Sequence, residues 1–262
     1  MLCALLGSAI AAQGASAVSG TTAFTCKAGA GDVGGKTYTT DHCKPSEAAG
    51  EFGHYKITEG TSTELAGNSN GEVAKLKATI AGAAVTFTSS SATGSGTMEN
   101  KVDVSGEHYA HGEGTIVFNE ITVSTPKCFA YTDEGGAKGA KGTVDTEKLT
   151  VTTKGQGGAL KLTPATGEIF ARFWVLDANK KTSAEGGECP IGSTYTITGS
   201  IKGVPDGATA RMTHAESTAQ GTLKLGTGAK VGIEGVVALE GRDSKIEGDT
   251  FKPLSVTTVE TP

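Results

Sequence analysis

Gly67-Asn68-Ser69-Asn70-Gly71 has the residue types and spacing of a serine nucleophile turn, in which a strained bend between a strand and a helix presents the hydroxyl to a carbonyl carbon. His214 follows in chain order and is the residue that would act as its base. The motif needs a strand before it and a helix after it. Here a polar segment precedes it and no helical period follows, so the run reads as a Gly/Asn/Ser loop. His108-Tyr109-Ala110-His111 is the densest histidine pair, with Glu107 and Glu113 as carboxylates that would complete a zinc or copper site. Residues three apart on a strand point to opposite faces, so this pair converges only in a turn or a helix. We read it as an exposed polar loop. No metal and no cofactor are expected, and no catalytic residue is assigned.

Carboxylates are plentiful, yet none is singled out as half of a facing acid and base pair, which a glycosidase needs. Glu185 and Glu188 sit in a Gly-rich loop beside Cys189 and read as solvated surface. His42 and His54, near Cys43, read as hydrogen-bonding partners that titrate near neutral pH. Trp174 lies in the most apolar stretch of the chain, so its indole reads as core and not as a sugar-stacking platform. No Asn-x-Ser/Thr acceptor, calcium loop or phosphate-cradling loop occurs.

The elements carrying these residues read as short strands. Leu76, Ala78 and Ile80 alternate with Lys75, Lys77 and Thr79; Gly82 permits a turn, and Val85 and Phe87 resume the alternation, which predicts a hairpin. The same period recurs at Val102/Val104, Ile116/Phe118, Ile121/Val123, Leu149/Val151, Leu160/Leu162, Tyr195/Ile197 and Val231/Ile233/Val237/Leu239. Residues 169–176 are apolar on both faces and predict a central strand. No helical period of ten residues is sustained, so the expected class is all-β, a β-sandwich or jelly roll with a small irregular disulfide-closed N-terminal module. The apolar share is 37% and the aromatic share 5%, which predicts a thin core. A net charge of -5 without a basic run excludes a phosphate-tracking surface, so no nucleic-acid partner is expected.

Residues 1–17 form an apolar run too short to span a bilayer and end in Ala15-Ser16-Ala17, so they are expected to be a signal peptide, although no cationic leader precedes the run. Cys3 falls within it and lacks a lipoprotein context. The remaining chain divides into an expected N-terminal module at 18–60 and an antiparallel domain at 61–262, with two lobes meeting near the Gly- and Lys-rich stretch 133–142. Four cysteines remain, Cys26, Cys43, Cys128 and Cys189. An even number in an exported chain predicts two disulfides; loop-closure entropy favours Cys26 with Cys43 and Cys128 with Cys189 among the three pairings.

Phe24-Thr25-Cys26, Asp41-His42-Cys43, Phe52-Gly53-His54, Thr196-Ile197-Thr198-Gly199-Ser200 and Gly207-Ala208-Thr209 through Thr213-His214 occur here in that order. In these blocks the chain resembles a group of uncharacterised exported β-rich proteins of high-GC soil bacteria. The resemblance implies secretion and paired cysteines, and supplies no activity to carry over. From export, β architecture, disulfides and the lack of a convincing catalytic constellation, the expected function is non-enzymatic: a secreted or cell-envelope β protein in a binding, adhesive or structural role, whose partner is an envelope polymer, a glycan or a protein. The alternative is a secreted hydrolase of serine or carboxylate type. Intact-mass analysis of exported protein, before and after reduction and alkylation, should show cleavage after Ala17 and no free thiol before reduction. Two or more thiols alkylated without reduction would refute the paired reading.

Overall fold

The computed structural model describes residues 20–29, 37–39, 51–57, 59–206, 209–213, 222–226, 229–242 and 251–258. Its first strands are β1 (Gly20–Ala28), β2 (Thr37–Tyr38), β3 (Phe52–Lys56), β4 (Thr63–Asn68), β5 (Ala74–Ile80), β6 (Ala83–Ser89), β7 (Ser91–Val102) and β8 (His108–Asn119). There follow β9 (Thr122–Val123), β10 (Phe129–Glu134), β11 (Ala137–Lys141), β12 (Val144–Asp145), β13 (Leu149–Thr152), β14 (Leu160–Pro164) and β15 (Ile169–Leu176). After a 3₁₀ turn at Ser183–Glu185 come β16 (Ser193–Thr198), β17 (Ile201–Asp206), β18 (Thr209–Thr213), β19 (Lys224–Leu225), β20 (Ala229–Arg242) and β21 (Lys252–Thr258). The all-β class read from the sequence holds. The expected hairpin is β5–β6: Ala78 faces Val85, and Ala81 and Gly82 both take positive φ, 50° and 80°, the backbone of a tight two-residue hairpin turn. The alternation expected to continue through Val104 ends at Val102; Val104 lies exposed in the turn that follows.

The antiparallel pairings close two rings. One runs β5, β6, β9, β10, β15, β16, β19 and the first part of β20, which returns to β5. The other runs β4, β7, β8, β13, β14, β17, β18 and the second part of β20, which returns to β4. The sheet thus closes into barrels in place of the two facing layers of a sandwich or jelly roll. Closure leaves a ring no unpaired edge, which suits a chain with little apolar surface for covering one. β20 belongs to both rings because its alternation runs unbroken: Val231 and Ile233 join the core of the first, and Leu239 that of the second, with Val237 packed against both. Glu234, on the opposite face, pairs with Lys77 across the neighbouring strand at 2.7 Å. β15 lies between β10 and β16, the central position expected of it, with Phe173 and Val175 inward.

Small residues set how closely strands approach. A Cβ on Gly96 would lie 2.1 Å from the carbonyl oxygen of Glu113, and one on Gly112 would lie 2.2 Å from that of Thr97, so β7 and β8 need glycine where they cross. The stretch 133–142, expected as a lobe boundary, is the β10–β11 hairpin, turning at Gly135 and Gly136.

The N-terminal strand is woven into this frame. β1 pairs with β3 and with β21 near the other end of the sequence, and its start runs parallel to β8, Gly20 beside His108. Thr21, Thr22, Ala23, Phe24 and Thr25 are all buried. Two side chains complete its backbone pairing. Asn100, fully buried, accepts from Ala23 N at 2.8 Å and donates to the carbonyls of Ala23 and Ile57 at 2.8 and 2.9 Å. Thr153 Oγ1 donates to Thr21 O at 2.6 Å and accepts from Ala110 N at 2.8 Å. Asn100→Ala would strand one buried N–H and remove the donor from two carbonyls, at a cost of about 2–4 kcal/mol, and Asn100→Asp would fare no better because a carboxylate cannot donate. Urea denaturation should show that loss for both variants, with the amides of β1 losing hydrogen-exchange protection before those of β15; unchanged protection of β1 would refute the clamp.

Candidate functional site

Among the described residues, the most heavily tied irregular segment is residues 177–192, between β15 and β16. Cys189, fully buried, is bonded to Cys128 at the start of β10, with 4.8 Å between Cα atoms and 61 residues between them in sequence. This is one of the expected pairs, and a loop of that length contributes about 4 kcal/mol in the chain-entropy account. Asp177 holds the segment from the other side: Oδ1 accepts from Asn179 N and Lys181 N at 2.9 and 2.8 Å, and Oδ2 from Glu188 N at 3.1 Å. Those N–H groups, Lys181 foremost, hold its carboxyl below the usual range. Thr182 and Glu185 form a capping box on the 3₁₀ turn, and Glu185 also meets Lys138 Nζ at 2.7 Å. Lys138, followed by Thr182, draws the Glu185 carboxyl down to about 2. Beneath lie Tyr131, whose hydroxyl donates to Asp177 O at 3.0 Å, and Trp174, with Lys138 Nζ 5.6 Å from its ring centre. Trp174 is half-buried on the outer face of β15, and its indole N–H, buried, has no hydrogen-bond partner among the described residues. The indole expected in the core thus sits on the outer face, with Lys138 over its ring.

The structure does not bring the other candidates together. Ser69 is buried in the turn between β4 and β5; its N–H donates to Ala92 O at 2.9 Å and its carbonyl accepts from Glu72 N at 2.8 Å. The turn leads into a strand and not into a helix, so the hydroxyl lacks a nucleophile's geometry. His214, His42 and Cys43 lie outside the described residues. Cys26 is disulfide-bonded, and His54, in β3, has its backbone opposite that of Cys26. His108 and His111 both lie within β8, not in the loop expected, and therefore on opposite faces. His108 Nδ1 is 2.7 Å from Glu59 Oε1, outside hydrogen-bond geometry. His111 meets the Tyr109 ring edge-on. Glu113 pairs with Lys148, which lowers its carboxyl pKa, and Glu107 accepts from Gly155 N at 2.9 Å. Glu188 pairs with Lys127 at 3.1 Å, so it and Glu185 each have their own lysine and do not form a facing pair.

Cavities are the features that sequence reading missed. Each ring encloses a small void: about 50 Å³ against Phe87, Phe173 and Ile233 in the first, and about 70 Å³ against Leu160, Val237 and Leu239 in the second. Both are lined almost wholly by apolar atoms and are far below the size of a ligand pocket. An acidic recess of about 130 Å³ gathers Asp133, Asp145 and Glu147 around Arg172; burial, then Glu134, raises the Asp145 pKa. A larger cleft, about 370 Å³, opens where β14 meets the β16–β17 turn. Only its hydroxyl-rich segments, such as Thr196 to Ser200, stand out in the sequence. Comparison of the chain with protein-family models, curated proteins and solved structures finds no match.

The Asp177 tie has a pH signature. Its folded pKa is depressed, so its stabilisation is complete above the unfolded value of about 4 and is lost as pH falls through the lower folded value. Asp177→Asn should therefore melt well below the parent at pH 6, and the gap should narrow steadily below pH ~4. Thermal melts of both proteins across that range check it; a constant gap would refute the carboxylate's role.

Proposed function

We propose that this chain is a secreted, non-enzymatic β protein that acts through its outer surface, in a binding, adhesive or structural role outside the cell or in its envelope. The observation carrying the reading is that the interiors of both rings are filled, with voids of only about 50 and 70 Å³. A carrier barrel needs a lumen, and a barrel enzyme needs a mouth into which reactive side chains converge. Polar side chains that would do chemistry are engaged in the frame itself: Asp177 and Asn100 bond to backbone, and Glu113, Glu185 and Glu188 bond to lysines. What remains for recognition is the outer face and the turns. Export accounts for the disulfide economy, because such bridges persist where thiols are not kept reduced. Among the described residues no helix is long and apolar enough to cross a membrane.

The serine-hydrolase alternative loses ground with Ser69 buried in its turn. Mature protein should bind, saturably, to insoluble cell-wall polymer or glycan from its source organism, while a fluorophosphonate probe leaves it unlabelled. Absence of retention on any envelope fraction would overturn the binding role. Labelling lost in Ser69→Ala would overturn the non-enzymatic one.

A further inference from the structure

The cleft of about 370 Å³ is bounded by parts of both rings: Thr163 and Pro164 end β14 of the second, Thr198 ends β16 of the first, and Thr222 and Lys224 lead into β19. Its volume lies in the range of recesses that hold small ligands, and a junction between packed units is a common place for one. The lining decides the ligand class. Thr163, Thr198, Ser200 and Thr222 contribute four hydroxyls, each able to donate once and accept twice. Glu168 and Lys224, both exposed, add one carboxylate and one ammonium, and neither forms an ion pair among the described residues. One charge of each sign gives no net attraction for phosphate or a polyanion, and an apolar ligand would bury the polar groups of the lining without giving them a partner beyond the Ser200–Thr222 contact. A ligand carrying a hydroxyl on nearly every carbon matches such a lining.

Part of the surface is held in place before any ligand arrives. Ser200 N donates to Thr222 Oγ1 at 3.1 Å, the two hydroxyl oxygens lie 3.2 Å apart, and Thr222 N donates to Ser200 O at 2.8 Å. Gly199, with φ 104°, brings the turn so close to Thr222 that an added Cβ would lie 2.3 Å from its carbonyl oxygen. Gly199 N in turn donates to Glu168 O at 3.1 Å, which ties the two turns together. Pro164 supplies an apolar ring against which the C–H face of a pyranose can pack.

We propose that this cleft is a subsite for an uncharged sugar residue of an extracellular or envelope polysaccharide. It rests on the surface-binding reading above and names the ligand class for one part of that surface. With no aromatic platform in the lining, affinity for a short oligosaccharide should be weak, roughly hundreds of micromolar to millimolar.

The test is an amide NMR titration of the mature protein with maltotriose, cellotriose and N,N′,N″-triacetylchitotriose. At least one should give saturable shifts confined to residues 163–168, 198–200 and 222–224. Glu168→Ala and Lys224→Ala, both at exposed positions, should keep the rest of the spectrum and weaken that sugar roughly tenfold. No saturable shift at the cleft with any of the three, or equal binding by both variants, would overturn the proposal. Retention on envelope polymer separates the two readings: if parent and both variants are retained alike while no sugar titrates, the surface role survives and the cleft does not. If a sugar titrates at the cleft and no polymer retains the protein, the cleft survives and the envelope role does not.

Discussion

Every strand that changes neighbour along its length leaves backbone groups facing a gap, and this fold depends on filling those gaps from side chains. β8 passes from β12 to β13 to β1 along one edge, and β20 from β19 to β18 to β21. At such junctions a hydroxyl or an amide stands in for a peptide group. Thr146 Oγ1 accepts from Ile116 N at 2.9 Å between β12 and β13; Thr153 serves between β13 and β1; Asn100 bonds both backbone groups of Ala23 within the N-terminal strand. Ser89 Oγ, at the bend from β6 to β7, lies 2.6 and 2.7 Å from the carbonyls of Ser91 and Asn119. A buried peptide group left without a partner costs more than a made bond returns, so these residues decide whether β8 can pass from neighbour to neighbour and whether β1 can dock beside it.

The abundance of Thr and Ser is explained in two ways by this requirement. On outward faces they suit the pleated sheet, as composition alone implies. At the junctions they are buried and specific, and nothing in the local pattern separates Thr146 or Thr153 from the many threonines on the surface. That difference arises from a partner strand distant in sequence. The same limit applied to Asn100: its neighbours Met98 and Val102 alternate as any strand would, and its role appears only when β1 arrives beside it.

What was legible was local. The β5–β6 hairpin, the central position of residues 169–176, the long alternation from Val231 to Leu239 and the Cys128–Cys189 pair could be read because period, turn chemistry and loop entropy act over short distances or on few residues. Ring closure was not legible, because alternation of one apolar and one polar face serves a sandwich as well as a barrel. The candidate site divides likewise. Sequence motifs pointed to Ser69, His108 and His111, whose surroundings give them structural tasks, while the cleft is assembled from Thr163, Glu168, Thr198 and Thr222, whose convergence no spacing rule could have announced.

β20 lies near the end of the chain, yet β4 and β5, synthesised much earlier, both wait for it. Until residues 229–242 have left the ribosome neither ring can shut, so β4 and β5 are made long before their ladders are complete. A late-arriving keystone of this kind lengthens the interval in which open edges can pair with the wrong neighbour. Lys75 and Lys77 place charge along one such waiting edge, that of β5.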